Sequence, residues 1–105
     1  MSVVEEIFDD DGYPTEEFLE AVKKWDLHDP IGWFAFIKSG WWMPDWGWHE
    51  TTRRYRISTG GWSGNEEILA AMEGNFVLWS MAFVRYERGG HYEFEKRRTV
   101  AKADS

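Results

Sequence analysis

The stretch Thr59-Gly60-Gly61-Trp62-Ser63-Gly64-Asn65-Glu66 decides the fold. Before it, Thr51 to Ser58 alternates, with Tyr55 and Ile57 on one side and Arg54, Arg56 and Ser58 on the other. That period of two predicts a half-exposed strand. After it, Ile68, Leu69 and Met72 recur on one helical face as far as Gly74, which predicts a helix over Glu66–Glu73. Gly60 and Gly61 permit a sharp exit from the strand. Ser63 and Glu66 have the spacing of a capping box, in which each side chain satisfies a free backbone N–H near the other.

Working toward the C-terminus, Phe76 to Glu87 is rich in Phe, Val, Trp and Tyr. This composition predicts a strand, although a hydrophobic helix also fits its length. Arg88-Gly89-Gly90 reads as a hairpin turn, and His91 to Glu95 alternates with Tyr92 and Phe94 on one face. Toward the N-terminus, Asp29-Pro30 starts a helix that runs through apolar Ile31–Ile37 to a stop at Gly40. Pro14-Thr15-Glu16-Glu17 starts another, with Thr15 as cap and Phe18, Leu19, Val22 and Trp25 on its inner face. Between Gly40 and the strand lies Trp41-Trp42-Met43-Pro44-Asp45-Trp46-Gly47-Trp48, read as a compact connecting segment because Pro44 and Gly47 break regular structure.

The expected order is therefore α-α-β-α-β-β, an α+β fold. Its β-α-β part would be a right-handed crossover, its last two strands a hairpin, and its helices would cover one face of a three-stranded sheet. Residues 14–95 should form one domain. Residues 1–13, ending in Asp9-Asp10-Asp11-Gly12, read as a loosely ordered acidic N-terminus, and residues 96–105 as a polar tail.

Eight tryptophans in 105 residues let a short chain build its core from few side chains. With no cysteine, neither disulfides nor thiol chemistry are available. Met1 to Asp11 has neither the basic residue nor the apolar run of a signal peptide, and no stretch nears the ~18 apolar residues of a membrane span. A soluble, cytoplasmic protein is the expectation. The net charge of −7 is unevenly placed: residues 1–50 carry twelve Asp or Glu against three Lys. Such a half repels nucleic-acid backbone and suits a basic protein surface.

Three groups of residues could carry function. Gly60, Gly61, Trp62, Ser63, Gly64 and Asn65 stand between a strand and a helix N-terminus, where anions are often held. The pattern lacks the Gly-Lys-Ser/Thr ending of a P-loop, and Glu66 and Glu67 oppose an anion. A small-molecule or catalytic site there would draw on His91, with Glu66 or Glu67 for acid–base work. His28, His49 and His91 have no metal-ligand spacing, and no catalytic residue, metal or cofactor is assigned. Trp41, Trp42, Trp46 and Trp48 either pack into the core or form an exposed platform for a partner. Glu16, Glu17 and Glu20 would supply the acidic part of such a contact.

The segments T-G-G-W-S-G-N-E-E at Thr59–Glu67 and R-G-G-H-Y-E-F at Arg88–Phe94, with W-W-M-P-D-W-G-W upstream, resemble a family of short bacteriophage and prophage proteins. The resemblance spans residues 14–95. It implies a phage accessory protein in a bacterial cytoplasm and brings no catalytic residues with it. The expected function is a non-enzymatic module that binds a host or phage protein, in one version by placing its acidic surface in a basic groove. The alternative is the small-molecule or catalytic site at Gly60–Asn65 with His91.

Overall fold

The structure is a computed structural model that describes residues 6–96. Its elements run α1 (Glu16–Lys23), α2 (Pro30–Ser39), α3 (Pro44–Gly47), β1 (Trp48–Glu50), β2 (Arg54–Ser58), α4 (Ser63–Gly74), α5 (Phe76–Ala82), β3 (Phe83–Glu87) and β4 (His91–Glu95). The four strands make one antiparallel sheet in the order β1-β2-β4-β3. No described helix is long and apolar enough to cross a membrane.

The starts of α1 and α2 follow from local chemistry. Phe18 N–H donates to Thr15 Oγ1 at 3.1 Å, and Gly32 N–H donates to Asp29 Oδ1 at 3.0 Å, with Pro30 in the first turn. Gly40 ends α2, where a Cβ would collide with the Phe18 ring at 2.5 Å.

The α+β class holds, but the sheet has four strands where three were expected. The extra strand is Trp48-His49-Glu50, which pairs back on β2 with Trp48 opposite Ile57 and Glu50 opposite Tyr55. Thr51 Oγ1 accepts the N–H groups of Arg53 and Arg54 and so shapes the turn that folds this strand back. Three residues give too few alternations for a period of two to register, so the strand was hidden inside the aromatic segment.

The second difference concerns Phe76 to Glu87, where the composition favoured a strand and the length also allowed a hydrophobic helix. It is a helix, Phe76–Ala82, followed directly by strand Phe83–Glu87. Asn75 decides this. Its Oδ1 accepts the Leu78 N–H at 3.4 Å, starting α5, while its Nδ2 donates to Val22 O at 3.2 Å and Trp25 O at 3.4 Å. Leu78 and Ala82, one helical turn apart, are then buried, and this packing overrides the strand propensity of the run. Gly74 is the last residue of α4 and Asn75 its cap.

The third correction is the capping box. Helix α4 begins at Ser63 with Trp62 in the cap position, and no side chain caps it. Gly60 (φ 65°) and Gly61 (φ 75°) turn the chain early, placing Ser63 inside the helix instead of before it. Its Oγ donates to the Tyr13 hydroxyl at 3.0 Å instead.

The connection from β2 through α4 and α5 to β3 leaves β4 inserted between β2 and β3. The β3–β4 hairpin closes over Arg88-Gly89-Gly90, with both glycines at positive φ (99° and 83°). One sheet face packs on the helices: Phe34 of α2 lies 4.0 Å from the Tyr55 ring centroid and 5.3 Å from that of Phe94. On the other face, Arg54 and Arg85 both reach Glu93, at 2.8 and 3.2 Å. Residues 6–14 fold back on themselves through a bridge from Phe8 to Pro14 and pack on this body through partly buried Ile7 and the Tyr13 ring, 4.8 Å from that of Trp62. Of the expected tail, residues 97–105 lie outside the described residues, as do residues 1–5 of the expected N-terminus.

Glu50, at the end of β1, ties three elements together. It accepts the Trp48 indole N–H at 2.9 Å and meets Lys96 at 3.0 Å and Lys38 at 4.0 Å. Burial alone would raise its pKa, but the Trp48 hydrogen bond and the two lysines outweigh it and hold the carboxyl below its ordinary value. A carboxylate with a lowered folded pKa stabilises above its unfolded pKa, and that stability is lost as pH falls through the folded value. Glu50→Gln is therefore expected to destabilise at pH 7 by under about 1 kcal/mol, since the group is partly solvated. In urea unfolding at about pH 3 the difference from wild type should shrink toward zero.

Candidate functional site

The features with chemical potential gather where β2 leaves the sheet, around Thr59-Gly60-Gly61. Thr59 N–H donates to Gly90 O at 3.0 Å, and this bond staples the β2–α4 loop to the turn of the β3–β4 hairpin. Concave surface lies on both sides of that staple.

On one side stands an aromatic ridge. The structure divides the four tryptophans of the Trp41–Trp48 segment into two pairs. Trp41 and Trp48 are core residues with ring centroids 5.6 Å apart. Trp42 is 46% exposed, Met43 52% and Trp46 57%. Among the described residues Met43 alone, of the non-glycines, has a positive φ, 60°. Left-handed backbone at such a residue costs energy and persists only where its surroundings impose it.

What imposes it is Asn65, 1% exposed at the start of α4. Its Oδ1 accepts the Trp42 N–H at 2.9 Å, and its Nδ2 donates to Trp42 O and Thr59 O, both at 3.2 Å. The indole of Trp42 rests on Trp62 (5.1 Å), which rests in turn on Tyr13 (4.8 Å). Trp46 lies on Gly60, where a Cβ would come within 3.0 Å of its ring. Between them Trp42, Met43 and Trp46 enclose, with Thr59 and Gly60, a notch of about 220 Å³.

On the other side a groove of about 490 Å³ runs between Gly61 and the hairpin turn, walled by Tyr86, Tyr92 and Glu66. Burial raises the Tyr92 pKa, and Tyr86, Glu73 and Glu66 add to the shift.

The polar side chains of the glycine-rich loop bond to other parts of the protein. Asn65 holds Trp42 and Thr59, Ser63 holds Tyr13, and Trp62 is covered by rings on both sides. Gly64 packs under the Trp62 indole nitrogen, which a Cβ would meet at 2.5 Å. His91 faces away from this loop: its Nδ1 lies 2.7 Å from Ser58 Oγ, on the open sheet face. There Arg56, Arg85, Glu87 and Glu93 join them around a concavity of about 360 Å³. A hydroxyl beside an imidazole is a nucleophile–base arrangement in outline. Ser58 was not singled out in the sequence, because its pairing with His91 depends on β2 and β4 being neighbours.

Glu16 and Glu17 are exposed in the first turn of α1, and among the described residues neither makes an ion pair. Glu20 is different. Lys24 at 3.3 Å and Lys23 at 3.6 Å neutralise it locally and lower its pKa. Among the described residues no three His, Asp or Glu side chains gather as metal ligands would. No protein-family model, curated protein or solved structure matches the chain.

Proposed function

We propose that the chain is a non-enzymatic protein-binding module whose contact surface is the Trp42-Met43-Trp46 ridge. One observation carries this reading: two large indoles are left about half in water on a segment that a buried amide holds in place. Such residues are the usual anchors of protein interfaces, and a fixed backbone reduces the ordering cost of binding. The acidic first half, with Glu16 and Glu17 free of ion pairs among the described residues, favours a basic partner. A host or phage protein in a bacterial cytoplasm is the context that the phage resemblance adds to this proposal.

The test is native mass spectrometry of the protein purified gently from bacterial lysate. Wild type should retain a protein at fixed stoichiometry, and the Trp42→Ala/Trp46→Ala variant should lose it. Phe76→Ala is the control, because that ring is 74% exposed and lies away from the ridge. Capture that survives the double variant, or that fails in the Phe76 variant alone, would overturn the assignment. With the partner in hand, Glu16→Lys/Glu17→Lys is expected to weaken it about tenfold at low salt, less at high salt. Glu20→Lys should do less, because lysines already neutralise Glu20. Unchanged affinity in the first variant would refute the acidic contribution.

A second reading, small-molecule binding or catalysis, draws support from the Ser58–His91 pair on the open sheet face. A retained small molecule in the same spectrum, with no protein, would favour it.

A further inference from the structure

We propose that the groove between Gly61 and the β3–β4 turn is an arginine pocket, which receives a guanidinium side chain of the protein that docks on the ridge. The proposal rests on the binding-module reading and extends it to a second, chemically different subsite. Ridge notch and groove share Thr59 and lie on either side of the Gly60–Gly61 turn, so one partner surface can reach both.

The groove's shape comes from glycines. A Cβ at Gly61 would meet nothing within 4 Å, so this side of the cleft is open, low backbone. Gly90 packs on Thr59, where a Cβ would lie 2.4 Å from Oγ1, and this contact lets the hairpin turn close against the loop. Gly61 and Gly90 both hold positive φ, 75° and 83°, which other residues adopt at a cost. The result is an open groove of about 490 Å³ between the loop and the hairpin turn.

Its chemistry is that of a cation site. Tyr86 and Tyr92 pack on each other with ring centroids 4.8 Å apart and planes tilted by 53°, and both line the groove. Tyr86 is 51% exposed, so the part of the side chain not packed on Tyr92 is open to a ligand. Glu66 adds a carboxylate with no ion pair among the described residues, and no basic side chain lines the groove. Aromatic faces attract a cation through the ring quadrupole, and a carboxylate fixes a guanidinium by charge-assisted hydrogen bonds. Arginine fits this combination better than lysine, because its planar head stacks on rings while its N–H fork engages an acid. The influence of Glu66 and Glu73 on the Tyr92 hydroxyl agrees with a negative potential there. The N-terminus of α4 pulls the other way, toward anions, and the test separates the two outcomes.

The experiment titrates N-acetyl-arginine amide into the full chain and follows backbone and Tyr side-chain NMR signals. Shifts are expected at Gly61, Gly89 and Gly90 and on the Tyr86 ring, with the Trp42 and Trp46 indole N–H signals unmoved. Glu66→Gln and Tyr86→Ala should each weaken the probe about tenfold. N-acetyl-lysine amide should bind more weakly, and N-acetyl-glutamate amide should leave the groove unmoved. No response in the groove, a response unaltered by Glu66→Gln, or equal binding of the glutamate probe would overturn the proposal. Because the probe requires no partner, the pocket can fail while the Trp42→Ala/Trp46→Ala variant still loses its captured protein. The reverse can also occur, so the two failures are distinct.

Discussion

Replacing Asn65 by leucine is expected to lower the stability of the domain by about 3 kcal/mol. Leucine keeps the branched heavy-atom shape of asparagine, so the change chiefly removes hydrogen bonds, while its bulkier methyl groups add an overpacking cost at this buried site. Three hydrogen bonds to backbone are lost, from Trp42 N–H, Trp42 O and Thr59 O, each contributing about 1 kcal/mol. Thr59 O still accepts the Trp62 N–H at 3.1 Å, so the groups left without this partner are those of Trp42, which water can partly reach. For a domain of this size the melting temperature should fall by roughly 12–24 °C, read by thermal or urea unfolding. A second effect should accompany the first. Without Asn65, the left-handed Met43 loses the restraint that holds it, and Trp42 and Trp46 should gain mobility as the segment relaxes. A loss under about 1 kcal/mol with unchanged tryptophan spectra would mean that packing alone holds the ridge.

The second large effect is on affinity. Trp46→Ala is expected to weaken the partner complex about 100-fold, close to 3 kcal/mol. Most of this should appear as faster dissociation, as is usual within one interface. Stability should change far less, because the ring is already 57% in water and rests mainly on Gly60. Trp42→Ala should weaken binding too, and it should also lower stability, since Trp42 stacks on Trp62. Surface plasmon resonance paired with thermal unfolding separates the two quantities. A Trp46 variant that binds as tightly as wild type would remove the ridge from the interface.

Much of the framework was legible from short-range chemistry. Thr15, Asp29-Pro30 and Gly40 start and stop helices where the sequence places them, because caps and turns depend on residues a few positions apart. The two glycine pairs, Gly60-Gly61 and Gly89-Gly90, also mark real left-handed turns. What was not legible depends on distant partners. Strand β1 exists because β2 offers an edge, and α5 exists because Asn75 reaches the carbonyls of Val22 and Trp25. The candidate site shows the same division. Composition marks Trp41 to Trp48 as a special segment, yet no pattern in it separates buried Trp41 and Trp48 from exposed Trp42 and Trp46. That division rests on distant packing, in which Asn65, 23 residues beyond Trp42, holds the Trp42 backbone with an amide that the sequence offered as one candidate donor to a ligand. His91 was similarly joined to the glycine-rich loop on chain order, whereas strand pairing sets it opposite Ser58.

In the proposed complex, Trp42 and Trp46 are the surface by which this chain meets another protein. The most direct measurement is ¹⁹F NMR of the protein labelled with 5-fluorotryptophan, which reports its eight tryptophans separately. The captured partner is added to one equivalent. The Trp42 and Trp46 resonances are expected to shift or broaden while those of buried Trp33 and Trp41 stay in place. A complex that forms with the Trp42 and Trp46 resonances unmoved would contradict that assignment.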